Sequence, residues 1–245
     1  MEDLLDGLKR LKLRHTRDCV DEYCRIAATR DMSFHDFLKM VVVAEEIAAR
    51  EETQRVKRIR NARIPGHKTL SEFDFAFQPS VPKREILELE TLRFVENHEN
   101  VVLLGPPGLG KTHIAMALAY KAAVQGKDVL FTTAQDLIDN LYAAMADGTV
   151  KQKLRALGKL DLIVVDELGY LPMDDTAGNH LFQLVSNAYE RQSLIVTSNR
   201  PFEEWGALFP NLSLASATLD RLLHHVSVFT FSGDSYRMKG VNASL

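Results

Sequence analysis

One short motif constrains the fold of this 245-residue chain more than any other feature. Residues 105–112 match the pattern G-x-x-x-x-G-K-T and stand between the apolar run 101–104 and an apparent amphipathic helix over 112–124. Glycines let the backbone wrap closely enough for its N–H groups to point at phosphate oxygens, and the helix that follows adds its positive N-terminal end. This order of strand, loop and helix is the context of a nucleotide-binding P-loop, whereas a glycine turn that binds nothing is the alternative.

The motif assigns roles to single residues within the loop. Lys111 is expected to reach the β- and γ-phosphates as a compact point charge that assists catalysis, and Thr112 to hold Mg²⁺ through its hydroxyl. The residues expected to contact the nucleotide are Gly105, Pro106, Pro107, Gly108, Leu109, Gly110, Lys111, Thr112 and His113. The expected cofactors are therefore ATP and Mg²⁺.

A second apolar run, residues 162–165, ends in two adjacent acids, Asp166 and Glu167. Its β-branched residues predict a strand buried on both faces, and two acids at the end of such a strand are costly unless they act. Asp166 fits a metal-orienting role, and Glu167 fits a catalytic base or a water-positioning group, as in a Walker-B motif. For either acid alone, a helix cap at the strand exit is the alternative.

Residues 193–197 predict another buried strand that ends in polar groups. In P-loop ATPases with an additional strand, this strand lies between the P-loop strand and the Walker-B strand, and its last polar residue touches the γ-phosphate or the attacking water. Asn199 is the catalytic candidate for this sensor role, and Ser198 is the second choice. An ordinary Asn at a strand-to-turn junction is the alternative.

Composition and charge narrow the class of protein. Hydrophobic content of 46%, charged content of 26% and a net charge of −3 are ordinary for a globular protein, so a nucleic-acid surface would have to be local. The only cysteines, Cys19 and Cys24, lack metal-site spacing and indicate a reducing compartment. The acidic start is unlike a secretory signal, and no apolar run approaches the ~20 residues of a membrane span. We expect a cytoplasmic protein with no membrane partner.

The pattern of apolar residues predicts two domains, residues 1–64 and residues 65–245. The first is all-helical, and Ser33 with Asp36 predicts the capped start of its third helix. In the second, a helix over 81–95 precedes strands that alternate with helices. The predicted strands are 101–104, 128–132, 161–165, 193–197 and 226–231. This alternation predicts an α/β fold with a five-stranded parallel sheet and helices on both faces.

Three segments outside the motifs carry further predictions. No acidic residue occurs within residues 53–70, and such a basic stretch attracts phosphate backbones, although a solvated helix face is equally supported. The candidates for DNA contact there are Arg55, Lys57, Arg58, Arg60 and Arg63.

Residues 69–77 carry aromatic side chains at alternate positions and either form a wall for the adenine ring or pack on the core. Two helices, 134–146 and 149–158, occupy one strand connection, which is one helix more than a crossover needs.

Four stretches make a resemblance to a known family specific: residues 60–75, 105–113, 164–171 and 219–239. On these residues the chain resembles the AAA+ ATPases of the initiator and loader clade, which includes DnaA and DnaC. Within that clade it is most similar to the IstB family, the ATPase helpers of insertion-sequence transposition. The resemblance implies a bacterial homo-oligomer with DNA-stimulated ATPase activity. It would assemble on double-stranded target DNA, remodel it, and recruit or stimulate an IstA-like transposase.

The resemblance also implies roles for residues outside the Walker motifs. The extra helix between the second and third strands would be the insertion that faces DNA, which adds Lys151, Lys153 and Arg155 as candidates for DNA contact; a solvated face is the alternative. Arg221 matches the arginine finger that reaches the γ-phosphate held by a neighbouring subunit, with a salt bridge to Asp220 as the alternative. Arg237 matches the second sensor more loosely, because we expect no C-terminal helical lid domain.

Three other functions stay open at this level. A replicative helicase loader of the DnaC type shares the core, grips a hexameric helicase through its N-terminal helices and prefers single-stranded DNA. A small-molecule kinase fits less well, because the pair Asp166 and Glu167 suits the activation of water. A DNA-coating protein with an inactive ATP site would not need the intact Lys111 and Thr112.

Overall fold

The computed structural model describes residues 2–169 and 173–238. Tyr170, Leu171 and Lys239, which belong to two of the stretches compared above, lie outside the described residues. The chain forms two compact units, residues 1–57 and residues 58–245. Within the described ranges, no helix combines the length and the apolar composition that a membrane span requires.

Helices make up the first unit. Their bounds are Glu2–Arg10 (α1), Arg14–Thr29 (α2), Phe34–Leu38 (α3), a π-helical stretch at Lys39–Glu46, and Ile47–Asn61 (α4), which continues into the second unit. The predicted cap of the third helix is present, since the Ser33 hydroxyl accepts a hydrogen bond from the Asp36 backbone N–H at 3.1 Å.

A buried carboxylate joins helices of the first unit. Glu46 is 3% exposed, and it accepts hydrogen bonds from the Thr16 N–H and hydroxyl at 2.9 and 3.0 Å and from Arg50 at 3.0 Å. The Thr16 N–H is one of the first-turn donors of α2 that have no partner inside the helix, so Glu46 caps α2 from another element. Burial raises the pKa of Glu46, but the bonds from Thr16 and Arg50 outweigh burial and hold that pKa below its usual value.

Five parallel strands form the centre of the second unit. They are β1 (Asn100–Leu104), β2 (Val129–Thr133), β3 (Leu162–Leu168), β4 (Ser193–Ser198) and β5 (Val226–Thr230). Their order is β2-β3-β4-β1-β5, so β4 lies between the P-loop strand and the strand that carries the two acids, as predicted. All residues of β1 and β4 are buried, because helices cover both faces of a parallel sheet.

Helices pack on both faces of this sheet, and together they confirm the predicted α/β fold. They are α5 (Lys83–Glu88), α6 (Arg93–Glu96), α7 (Lys111–Val124), α8 (Ala134–Ala146), α9 (Val150–Leu157), α10 (Asp175–Ala188) and α11 (Leu212–Leu223). Alternate residues of β1 enter two different cores: Val101 and Leu103 pack on the side of α7, and Val102 and Leu104 on the side of α8 to α11. The P-loop strand therefore lies inside the protein core.

Two sequence predictions differ from the structure. The helix predicted over 81–95 is interrupted, because the fully buried Leu92 has a left-handed backbone with φ of +59°, and separate short helices α5 and α6 result.

The domain boundary predicted after residue 64 lies within the second unit, which begins at residue 58. Ala62 is fully buried in the core on the α7 side, and its carbonyl accepts a hydrogen bond from Phe131 of β2 at 2.7 Å. These contacts join the end of α4 to the second unit.

Candidate nucleotide site

The P-loop follows the carboxyl end of β1 and leads directly into α7. Gly108 and Gly110 have φ of +82° and +91°, in the left-handed region that favours glycine. A Cβ atom on Gly108 would lie 2.0 Å from the Ser235 hydroxyl oxygen, and one on Gly110 would lie 2.5 Å from the Phe73 ring. Both the backbone conformation and close neighbours therefore require glycine at these positions.

Lys111 lies beneath the loop at the start of α7. Its side chain is buried, and its ammonium donates hydrogen bonds to the carbonyls of Gly105 and Pro106 at 2.5 and 2.7 Å. Burial lowers the pKa of Lys111, the charge of Asp166 opposes this shift, Arg237 lowers the pKa further and Glu167 raises it. Gly105 and Pro106 thus contribute carbonyls that hold the lysine against the loop.

A β-bulge positions the two acids at the end of β3. Val165 pairs with Val196 and Leu168 pairs with Ser198, so Asp166 and Glu167 together lie opposite a single residue of β4. Asp166 is buried, whereas Glu167 is exposed and has a left-handed backbone with φ of +62°. Bulges re-aim side chains, and strained backbone of this kind costs on the order of 1–3 kcal/mol and clusters at functional sites. The bulge places two successive carboxylates at the same edge of the sheet.

Thr197 is the single residue opposite this bulge, and sequence reasoning missed it. Its hydroxyl donates to Asp166 Oδ1 at 2.5 Å and accepts from the Glu167 N–H at 2.9 Å. The Thr112 hydroxyl donates to the same Asp166 oxygen at 3.0 Å. Thr197 therefore connects the two acids to each other, and Asp166 connects them to Thr112 of the P-loop helix. A hydroxyl directly after the apolar run 194–196 was the available signal.

We expect Thr197→Val to slow ATP hydrolysis more than it weakens ATP binding. Valine has nearly the same shape but leaves the Glu167 N–H without its hydroxyl partner, at a cost of about 1–3 kcal/mol in stability. A small displacement of Glu167 would lower the turnover number by up to ~100-fold. Single-turnover hydrolysis and nucleotide titration measure the two effects separately. Thr197→Ser retains the hydroxyl and serves as the matched control, and equal turnover of the valine and serine variants would exclude the positioning role.

A cavity of about 470 Å³ opens beside these groups. Its walls contain Lys68, Glu72, Phe73, Asp74, Phe77, Gln78, Pro107, Gly108, Leu109, Gly110, Lys111, Thr112, His113, Glu167, Thr197, Ser198, Asn199, Tyr236 and Arg237. Ligand pockets typically measure roughly 300–1,000 Å³, so the volume suits a nucleotide. The P-loop, one of the two acids and the end of β4 thus meet in one space.

The aromatic segment 69–77 forms part of the cavity wall and also packs on the core. It begins with a 3₁₀ turn at Leu70–Glu72 and is not a strand. Phe73 and Phe77 line the cavity, while Phe75 packs against the hydrophobic core. His113 Nε2 lies 2.9 Å from the Thr69 carbonyl oxygen, which connects the segment to α7. Packing on the core, one of the two alternatives stated for this segment, is therefore present, and two of its rings also line the cavity.

The two sensor candidates at the end of β4 have different surroundings. Ser198 is fully buried, its hydroxyl donates to the Leu168 carbonyl at 2.6 Å, and it accepts from the Arg200 N–H at 3.1 Å. These bonds join β3, the strand with the bulge, to the loop after β4. Asn199, by contrast, is exposed on the cavity wall, where its amide is accessible to a bound molecule.

The two candidate arginines lie at different places. Arg237 lines the cavity, in a 3₁₀ turn connected to the P-loop by a 2.9 Å bond from the Tyr236 N–H to the Gly108 carbonyl. Arg221 lies near the opposite end of β1, because Asn100, the first residue of that strand, donates to the Leu222 carbonyl at 2.9 Å. The five residues of β1 span roughly 16 Å. Arg221 is therefore separated from the P-loop of its own chain by about the length of a strand.

Contacts along α11 and α10 orient Arg221. Its guanidinium donates to the Ala217 carbonyl at 2.8 Å and lies 5.1 Å from the centre of the Phe182 ring. In the part of the chain that the structure describes, Arg221 forms no ion pair with Asp220 within 4.0 Å. The side chain is half-buried, so part of it faces the protein surface.

The candidate DNA-contact residues differ in their accessibility. Arg55 pairs with Glu52 at 2.7 Å, and Arg58 lies 4.0 Å from Asp128. Of the five candidates on α4 and in the following turn, Arg55, Lys57, Arg60 and Arg63 are exposed and Arg58 is half-buried. On α9, Lys151 and Arg155 are exposed and Lys153 is half-buried.

The residues of the cavity fit a magnesium–nucleotide complex. The Thr112 hydroxyl and the Asp166 carboxylate are hard oxygen donors, which Mg²⁺ prefers, and they lie 3.0 Å apart. Lys111 and the N-terminal end of α7 supply positive charge for phosphates. The donor set therefore matches the predicted cofactors.

Comparison with known proteins agrees with this geometry. The family model described as IstB-like ATP binding protein matches residues 6–244. An ATP-binding protein from insertion sequence IS21 of Pseudomonas aeruginosa is 41% identical over 98% of this chain and 90% of its own length. One from insertion sequence IS5376 of Geobacillus stearothermophilus is 40% identical over 87% of this chain and 84% of its own length.

Solved structures show the same fold at low identity. The crystal structure of DnaI superposes with a TM-score of 0.58 at 18% identity, over 72% of this chain and 94% of that one. DnaA bound to AMPPCP and single-stranded DNA gives 0.58 at 20% identity, over 75% of this chain and 56% of that one. With the family match across almost the whole sequence, these likenesses show an AAA+ core. The chain belongs to the IstB family of insertion-sequence ATP-binding proteins.

Proposed function

We propose that this protein is a magnesium-dependent ATPase that assembles as a homo-oligomer on double-stranded DNA, remodels this target DNA, and recruits or stimulates the transposase of its insertion sequence. The family and the insertion-sequence origin of its relatives support the ATP-binding part and the biological setting. The finer parts of the proposal depend on the geometry of the site and on the accessible basic residues.

The position of Arg221 carries the proposal. A P-loop ATPase gains much of its rate from an arginine at the γ-phosphate, and Arg221 is about a strand length away from its own P-loop. A neighbouring subunit in a head-to-tail contact would place its Arg221 at the site. Hydrolysis would then require assembly, and the γ-phosphate would stabilise the assembled state.

Within one subunit, each residue of the site has a distinct chemical role. Lys111 and the N–H groups at the start of α7 would bind the phosphate oxygens, and Thr112 and Asp166 would hold Mg²⁺, which supplies charge neutralisation when bound. Glu167 would accept a proton from the attacking water, and Asn199 would orient that water. Arg237 lies on the cavity wall, where it would contact the phosphates from the same chain.

The exposed basic residues support a DNA surface that reads the phosphate backbone. Affinity of this kind is electrostatic and independent of sequence, and it falls steeply as salt increases. We expect the triple charge reversal Lys57→Glu, Arg60→Glu and Arg63→Glu to weaken binding to unrelated duplexes equally. The slope of log affinity against log salt should decrease by roughly 0.9 for each DNA phosphate that the variant no longer neutralises. Fluorescence anisotropy over a salt series measures this slope.

A matched control separates local contacts from net charge. Lys9, Arg10 and Lys12 are also three exposed basic residues, and their reversal changes the total charge by the same amount. An equal loss of affinity in both triple variants would show that only the overall charge matters. The corresponding reversal of Lys151, Lys153 and Arg155 tests the α9 surface.

The N-terminal helices complete the proposal. We assign the first unit, which forms most of the predicted domain 1–64, to an adaptor that contacts DNA or a partner, and the second unit, residues 58–245, to the ATPase domain. Because the proposed target is bacterial DNA, the protein would act in the cytoplasm.

Measurement of particle size tests the assembly directly. We expect a large complex only when a duplex of about 50 bp, roughly five helical turns, and a slowly hydrolysed ATP analogue are both present. With ADP, or without DNA, the protein should stay small. A monomer under every condition would contradict the proposal.

A second candidate is a helicase loader, which the fold likeness to DnaI and DnaC favours. A loader of that type would prefer single-stranded DNA and would bind the replicative helicase through the N-terminal helices. Sizing with a single strand of the same length, together with a pull-down of the host helicase, distinguishes the two functions. A complex that forms only with single strands and helicase would favour the loader.

A further inference from the structure

Two histidines and a glutamate meet on the surface at the end of the sheet opposite to the P-loop. Glu190 lies in the turn after α10, and His224 and His225 lie in the turn between α11 and β5. One potential ligand atom from each of these residues lies within 4.8 Å of the others, and all three side chains are exposed. The nucleotide site uses none of them. We propose that these three residues bind a divalent transition-metal ion, with Zn²⁺ as the best match.

The ligand chemistry favours this class of ion. Imidazole nitrogen suits zinc and neighbouring transition metals, whereas Mg²⁺ prefers oxygen ligands. Two histidines and one carboxylate are a known zinc ligand set that leaves a fourth position open to water. The surface site is therefore chemically distinct from the oxygen-rich pair Thr112 and Asp166 in the cavity.

Side-chain rotations can bring the ligand atoms to the distances that zinc requires. Tetrahedral ligands roughly 2.1 Å from zinc lie about 3.4 Å from one another. The ligand atoms of this cluster lie within 4.8 Å of one another, so each pair has to approach by up to about 1.4 Å. Side chains that are exposed to solvent change rotamer readily, so rotations of this size are open to all three residues.

Buried hydrogen bonds hold the backbone beneath the cluster. Asn100 is 9% exposed, and its N–H donates to the His225 carbonyl at 2.7 Å. Its amide also donates to the Leu222 carbonyl and accepts from the Leu194 N–H, both at 2.9 Å. Asn100 of β1 thus connects the histidine turn and the end of α11 to β4, and the backbone that carries the two histidines is organised in advance.

A neighbouring tyrosine orients one of the ligands. The Tyr189 hydroxyl oxygen lies 3.1 Å from His224 Nδ1, which leaves His224 Nε2 available for a metal when Nδ1 carries the proton. Outer contacts of this kind fix the ring orientation in metal sites.

A metal ion bound at this site would lie close to Arg221. Glu190, His225 and Arg221 line the same small pocket. A metal that bridges the two turns would hold together the end of α11, which carries Arg221, and the end of α10. The ion would therefore stabilise the surface that presents the proposed arginine finger, although binding itself does not depend on that role.

Titration calorimetry with Zn²⁺ tests the site. The protein carries no affinity tag, contains Cys19→Ser and Cys24→Ser so that thiols do not compete, and is kept in excess Mg²⁺ without nucleotide. We expect one ion per chain with micromolar or tighter affinity. His224→Ala and His225→Ala should each weaken binding roughly tenfold or more, and Tyr189→Phe should weaken it less.

His35→Ala is the matched control, since His35 is 87% exposed and also has a carboxylate beside it, 3.7 Å away on Asp36. Unchanged zinc binding in this variant, with Co²⁺ absorption bands typical of tetrahedral histidine ligation in the parent protein, would support the site. Equal binding by the parent and the His224→Ala/His225→Ala double variant would overturn it, as would an equal loss in His35→Ala. Thermal unfolding without metal confirms that each variant is folded.

Discussion

Arg221→Ala is expected to slow ATP hydrolysis by roughly 10³- to 10⁵-fold, the usual contribution of an arginine finger. ATP binding by the isolated subunit should be nearly unchanged, because Arg221 lies near the far end of β1 from the P-loop of its own chain. Steady-state hydrolysis in the presence of duplex DNA measures the first effect, and titration with a fluorescent nucleotide measures the second.

Mixing of two inactive variants tests whether the arginine acts between subunits. Arg221→Ala retains Glu167, and Glu167→Gln retains Arg221, so a contact between the two variants contains one complete site. A complete contact needs an Arg221→Ala subunit that holds the ATP and a Glu167→Gln subunit that supplies the arginine. In an equal mixture about a quarter of the head-to-tail contacts would meet this condition. Recovery of activity would support a finger that acts in trans, and its absence would oppose one. Arg191→Ala, an exposed arginine after α10, is the control for loss of charge and should retain activity.

Glu167→Gln is expected to lower the turnover number by roughly 10²- to 10⁴-fold, the usual range for loss of a general base. ATP binding should persist, because Lys111, Thr112 and Asp166 keep their contacts. Since the γ-phosphate would remain uncleaved, the assembly on DNA should become longer-lived. A single-turnover assay and the dissociation rate of the DNA complex in ATP measure these two effects.

Two results would contradict the assigned role of Glu167. Normal turnover by the glutamine variant would exclude it as the base, and loss of ATP binding would show a structural role. Glu203→Gln, an exposed acid in the 3₁₀ turn after β4, is a suitable control for the change of charge. That variant should hydrolyse ATP at the normal rate.

Local patterns predicted the parts of the fold that depend on neighbours in sequence. The P-loop is a contiguous motif, and its place between β1 and α7 follows from an apolar run before it and a helical pattern after it. The central strands β3 and β4 were recognised for the same reason, because a strand covered on both faces is apolar along most of its length. The order of β1, β4 and β3 came from the resemblance to ATPases with an additional strand.

Prediction was weaker where packing opposes a local preference. After Pro82, the helical pattern over 81–95 contains no further proline and no glycine, yet Leu92 adopts a left-handed backbone and is fully buried. Burial of Ala62 likewise moved the end of α4 into the second unit. In both cases contacts with residues distant in sequence outweighed the local signal.

Short-range patterns in the sequence are sufficient to predict the class of the fold and the P-loop, because both depend on residues close together along the chain. The arrangement of the two acids at the end of β3 depends instead on strand pairing in the folded sheet. Thr197 lies 31 residues from Asp166, and its hydroxyl becomes their shared partner because a bulge puts two residues of β3 opposite one of β4. The same holds for Arg221, whose distance from the P-loop follows from the sheet. Strand pairing brings such groups together or keeps them apart, and no local pattern records it.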